Sequence, residues 1–184
     1  LAALLFHELA HRIVYVKGDT RFNESFATSV ERFALREWLR SRGKHTALDE
    51  YNVSLSRRHS VIELINETRR QLQDLYASDK QESEKLNIKP ELIEQLVENY
   101  RVLAAQWPDG GEFSHWMDRE INNATLETVA DYNNWVPVMS AFLTTHGMQA
   151  FTIEMKRLAS LQESERQAIL TSMPILKASS NKTR

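Results

Sequence analysis

The chain has 184 residues, 42% of them hydrophobic and 26% charged, with a formal net charge of −2. That is the make-up of an ordinary globular protein with enough length for one sizeable core, and the near-neutral charge argues against nucleic acid or an anionic membrane as partner. Cysteine is absent, which excludes thiolate zinc sites and disulfides but does not choose between cytoplasm and periplasm.

Five glycines, four prolines and long stretches of helical spacing predict an all-α fold. The first element spans Leu1 to Val16. Its apolar start, Leu1 to Phe6, is far too short to cross a bilayer and reads as the buried beginning of a helix. Within it stands His7-Glu8-Leu9-Ala10-His11, an HExxH motif. Two histidines four apart on a helix point the same way, so both imidazoles can reach one metal ion. Zinc suits imidazole and carboxylate ligands, and a catalytic site keeps a position for water. The metal lowers the pKa of that water, and Glu8 is placed to act as its general base.

Lys17-Gly18-Asp19 signals a turn. A second helix follows, from about Asn23 to Arg42, and stops at Gly43, a good C-terminal cap. Glu24 near its start is the candidate third ligand. Asp19 is the rival and Glu31 a more remote one. Glu31 lies seven residues after Glu24 on the same face and could accept a hydrogen bond from the free ring nitrogen of a ligating histidine. The plain alternative for Glu31 is a solvated carboxylate beside Arg32. A short connection would make the two helices an antiparallel pair.

Residues 44 to 52 are polar and predict a connection, and a long helix over about Ser54 to Ser78 carries Val61, Ile62, Ile65, Leu72, Leu75 and Tyr76 on or near one face. Asp79 to Lys89 is charged and reads as solvent-facing. Pro90 suits the first turn of a helix reaching about Gln106. Trp107-Pro108-Asp109-Gly110-Gly111 is a strong break. Further helices are predicted from about Asn122 to Asn133, Pro137 to Gly147, Met148 to Ser160 and Glu163 to Thr171. Residues 1–176 then form a helical domain, and Lys177 to Arg184 a polar, basic tail expected to be disordered.

An Asn-Glu pair opening a second helix after HExxH resembles the third-ligand signature of gluzincin metallopeptidases, and the segment FNESFATSVE is similar to that of their aminopeptidase branch. The twelve residues between His11 and Glu24 are fewer than in the familiar gluzincins. More closely, HELAHRIVYVKGDTRFNESFATSVE resembles a bacterial aminopeptidase family, and RQLQDLY at 70–76, INNATL at 121–126, Tyr132, Val136-Pro137 and Arg166 also agree with it. The resemblance runs over most of the chain. It implies a zinc-dependent peptidase acting on peptide substrates, with an envelope-targeting N-terminus, often a lipid anchor, and a periplasmic or cell-envelope location. It also implies a region before HExxH. Because the chain opens inside the metal helix, that region, including the substrate-holding sheet edge of gluzincins, is expected upstream. Val14, Val16, Phe22 and Phe26 are then expected to include apolar surface meant for it, making the chain alone poorly active and prone to associate.

Peptide hydrolysis passes through a tetrahedral oxyanion that needs a hydrogen-bond donor. The candidates are Tyr132, His115, Tyr100, His59 and His146, and Tyr132 leads because it falls in the family-like Asn122-to-Pro137 segment. A core tyrosine is its structural alternative. Asn122 and Asn123 could bind substrate backbone or cap a helix. His115 could line a cleft or be structural. Arg69 and Arg70 could grip a peptide carboxylate or stay solvated. The resulting assignment has His7, His11 and Glu24 on zinc, Glu8 and Tyr132 catalytic, Glu31 behind a ligand, and Asn123 and His115 facing substrate. The alternative is a non-catalytic helical interaction module retaining a zinc site; the presence of Glu8, needed for chemistry and not for binding, discriminates against it. Peptide preference and oligomeric state are not legible in the sequence.

Overall fold

The computed structural model describes residues 1–133 and 135–174, and the side chains of all of these except 130–133. Among the described residues there are eight helices and no strand, as the scarcity of glycine and proline predicts. None of these helices is long and apolar enough to cross a membrane. They are α1 (Ala2–His11), α2 (Thr20–Ser41), α3 (His45–Ala77), α4 (Glu82–Ala104), α5 (Ser114–Met117), α6 (Asn123–Asn133), α7 (Val136–Ala159) and α8 (Glu163–Ser172). The chain groups into two compact units, Leu1–Leu48 together with the chain from Tyr132 on, and Asp49–Asp131.

The first unit is built on α2. Phe22, Phe26 and Val30 recur every four residues and are buried, together with Ala27, against Met139, Leu143, Phe151, Met155 and Leu158 of α7 and Leu170 of α8. The Phe26 and Phe151 rings stack at 5.5 Å. Small residues let α7 come close: Ser25 Oγ accepts from the Trp135 N–H at 3.3 Å, and Ser29 Oγ lies 3.3 Å from Ser140 Oγ. α7 is interrupted at Gly147 (φ 79°, ψ 169°), so the two helices predicted on either side of this glycine exist across a kink.

The start of α2 is anchored by charge. Asp19 Oδ1 accepts from the Phe22 N–H at 2.9 Å, capping the helix, while Oδ2 receives the Arg166 Nε and Nη2 at 2.9 and 2.6 Å. Arg166 also donates to the Leu161 and Leu158 carbonyls and lies over the Phe22 ring. The end of α2 carries both bonds of a Schellman motif, Lys44 N–H to the Leu39 carbonyl and Gly43 N–H to the Arg40 carbonyl, with Gly43 at φ 63°.

Several expectations are corrected here. α1 stops at His11 and does not continue to Val16. The reason is Asn23, whose amide accepts from the Val16 N–H at 2.8 Å and donates to the Val16 carbonyl at 2.7 Å, taking both groups a helix would use. Leu1, Leu4 and Leu5 are exposed, as are Leu9 and Ile13, so the start of α1 is not buried. Conversely, Val14, Phe22 and Phe26 belong to the core and Val16 is half-buried. The exposed apolar side chains of this region are thus those of α1 and Ile13, not the four expected.

In the second unit, Val61, Ile65, Leu72 and Leu75 of α3 pack with Leu96, Tyr100 and Ala104 of α4, Met117 of α5 and Leu126 of α6. Ile62 is buried too, whereas Tyr76 is exposed. The predicted polar connection at 44–52 is helical instead, because α3 begins at His45 directly after the Schellman turn. Likewise α4 begins at Glu82, where Glu84 accepts from the Gln81 N–H at 3.1 Å, so Pro90 falls inside the helix and not in its first turn. Its ring leaves the Leu86 carbonyl without the usual helical donor. The break at Trp107–Gly111 is present, with positive φ at Gly110 and Gly111. The predicted tail at 177–184 lies outside the described residues.

Candidate metal centre

All five residues of the HExxH motif lie in the last turns of α1, and α2 packs beside it. His11 faces Glu24, while His7 faces both Glu24 and Glu31; that order defines an antiparallel pair. The contact is tight because Ala10 offers only a methyl group and is fully buried.

Nε2 of His7 lies 3.3 Å from Glu24 Oε2, and Nε2 of His11 lies 3.6 Å from Glu24 Oε1. One ligand atom from each of the three residues falls within 4.8 Å of the others. Bonds of about 2.0–2.1 Å in a tetrahedron place ligand atoms about 3.3–3.4 Å apart, so each separation, one to either carboxylate oxygen, is close to that of two ligands sharing a metal ion. The donor set, two imidazole nitrogens and one carboxylate oxygen, is also one that zinc accepts with a position left open. Each of the three side chains is about one-fifth exposed, which leaves the centre open to solvent on one side.

His7 Nδ1 is 3.1 Å from Glu31 Oε2. A carboxylate can only accept there, so Nδ1 is the donor, and a neutral imidazole held this way would keep Nε2 free to ligate a metal. The seven-residue spacing places Glu31 on the face from which it reaches this ring nitrogen. His11 Nδ1 is buried and has no hydrogen-bond partner within the protein. The two imidazoles meet edge to face at 5.0 Å. Glu8 projects from the exposed side of α1.

Asp19 does not compete for the metal, since the α2 cap and Arg166 occupy both its oxygens. Sequence reasoning missed Asn23, which is 3% exposed and clamps the segment after α1 while the next residue, Glu24, faces the histidines. The signal was present in the Asn-Glu pair itself: an amide can both donate to and accept from one backbone residue, as no carboxylate can. Tyr15 was missed as well; its ring meets His11 edge to face at 6.4 Å and it is strongly exposed.

The remaining candidates are placed elsewhere or differently engaged. The side chain of Tyr132 lies outside the described residues, although its backbone belongs to α6. His115 and Asn123 belong to the second unit. There Arg119 donates to His115 Nε2 at 2.9 Å, and Asn123 Nδ2 donates to the Tyr76 hydroxyl at 3.2 Å. Asn122 is the capping asparagine, its Oδ1 accepting from the Thr125 N–H at 3.1 Å. Tyr100 is buried, its hydroxyl 3.0 Å from Ser114 Oγ. His59 and His146 are exposed, the latter against Phe142 at 4.4 Å. Arg69 is bound to Glu127 and Arg70 to Glu67. In one pocket of the second unit, Arg57 and Arg58 stack on Trp107 and Phe113 and pair with Asp109 and Glu112.

The family model described as "Putative aminopeptidase" matches residues 1–170, and the chain belongs to that family. No curated protein and no solved structure matches it significantly.

Proposed function

We propose that the chain is the catalytic portion of a zinc-dependent peptidase, an aminopeptidase by its family, with His7, His11 and Glu24 holding zinc. The observation that carries this reading is the convergence of these three side chains, with Glu31 within hydrogen-bond distance of His7 Nδ1. Zinc, when bound, supplies Lewis acidity and makes a water more acidic. Glu8 accepts the proton of the attacking water and returns it to the leaving amine. Exposure of Glu8 leaves it accessible to water and peptide. Peptide is the substrate class, and the family resemblance supports a periplasmic or envelope location with a lipid anchor outside this chain.

Metal analysis of the purified chain, paired with a peptide-library digest, tests the reading. One zinc per chain is expected, lost in His7→Ala and His11→Ala. Glu8→Gln should keep the zinc and abolish hydrolysis. Undiminished turnover in that variant would remove the mechanism. The second reading, a non-catalytic module retaining a zinc site, draws on the exposed Leu5 and Leu9 of α1 and Ile13 just after it. It predicts zinc binding with no hydrolysis of any peptide by the wild type.

A further inference from the structure

The geometry points to Tyr15 as the catalytic residue whose hydroxyl donates a hydrogen bond to the oxyanion formed from the scissile carbonyl, an inference that rests on the peptidase reading above. Such chemistry needs a donor aimed at the developing charge and held there before reaction. Among the described side chains, Tyr15 alone combines a ring lying against a ligand histidine, 6.4 Å from His11, with strong exposure (65%). Buried tyrosines are commonly explained by packing; this one is not, since most of its surface faces solvent.

Its backbone, by contrast, is fixed on both sides. Val14 before it is buried in the core at 4% exposure. Val16 after it has both backbone groups bound by the Asn23 amide, at 2.8 and 2.7 Å. Asn23 is itself buried in the capped first turn of α2, one residue before Glu24. The clamp that ends α1 at His11 therefore fixes the backbone that carries this exposed ring beside His11. Two polar groups nearby are already committed: the Asn23 amide, by both ends, to Val16, and Glu31 to His7.

The test is Tyr15→Phe in the zinc-loaded chain, a change at an exposed site that keeps the ring and removes only the hydroxyl. Zinc content and melting temperature are expected to match wild type. The rate constant kcat should fall about 10²–10³-fold, the usual loss for one oxyanion donor, with KM within about threefold. Calorimetry supplies a second readout. A phosphinic dipeptide carries the tetrahedral oxygen and should bind the variant at least about tenfold more weakly, whereas a reduced-amide peptide lacks that oxygen and should bind both proteins equally. Wild-type kcat with unchanged phosphinate affinity overturns the assignment. So does an equal loss for both ligands, which would make Tyr15 a general contact surface. If the wild type cleaves nothing yet the phosphinate preference for Tyr15 holds, the peptidase reading fails while the hydroxyl's contact stands. If the wild type binds no phosphinate, both fail.

Discussion

Removing the Arg166 guanidinium should cost the first unit a large share of its stability. The Arg166 and Asp19 side chains are 3% and 7% exposed, so neither charge has water to fall back on. In Arg166→Met the Asp19 carboxylate would keep the Phe22 N–H on Oδ1 and lose both bonds on Oδ2, and the Leu158 and Leu161 carbonyls would lose their donor. Breaking one side of a buried ion pair costs about 3–5 kcal/mol, a large share of the roughly 5–15 kcal/mol that holds a domain together. Adding Asp19→Asn removes the stranded charge while an amide oxygen can still cap α2. The double variant should therefore recover about 2–3 kcal/mol relative to Arg166→Met, a coupling that a double-mutant cycle isolates. Urea unfolding followed by far-ultraviolet circular dichroism measures all four proteins. A loss under about 0.5 kcal/mol in Arg166→Met, or a double variant no more stable than Arg166→Met, would refute the reasoning.

Glu31→Gln should weaken zinc binding about ten- to a hundredfold without removing a ligand, read by chelator competition; unchanged affinity would return Glu31 to an incidental surface contact. Phe151→Ala should destabilise by about 3–5 kcal/mol, because it removes the buried partner of the Phe26 ring, and a shift in urea midpoint checks it. The hydrogen bond from Arg157 holds the Glu154 carboxyl below its ordinary value, despite an opposing contribution from partial burial. Stability from this pair is thus present above the unfolded-state value and lost as pH falls through the lower folded-state value. As a solvent-screened surface pair it contributes little, so the difference between wild type and Glu154→Gln should be small at pH 7 and vanish in acid.

What the sequence by itself determined is what local rules reach. Four-residue spacing put His7 and His11 on one face, seven-residue spacing put Glu31 on the face of Glu24, and Gly43, Gly147 and Asn122 marked a cap, a stop and a start. Each depends on backbone geometry within a turn or two. The tertiary structure decided the rest through partners distant in the chain. Asp19 was a possible metal ligand until Arg166, far along the sequence, claimed one of its oxygens. Val16 stood in a helical pattern until Asn23 took both its backbone groups, ending α1 early and leaving Tyr15 beside His11. Which side of α1 faced the core was equally invisible, because α1 is apolar nearly all round and only the histidines' pairing with Glu24 and Glu31 picks the buried side. Periodicity records which residues share a face; only a partner across space settles where that face points and which of two acceptors a donor will take.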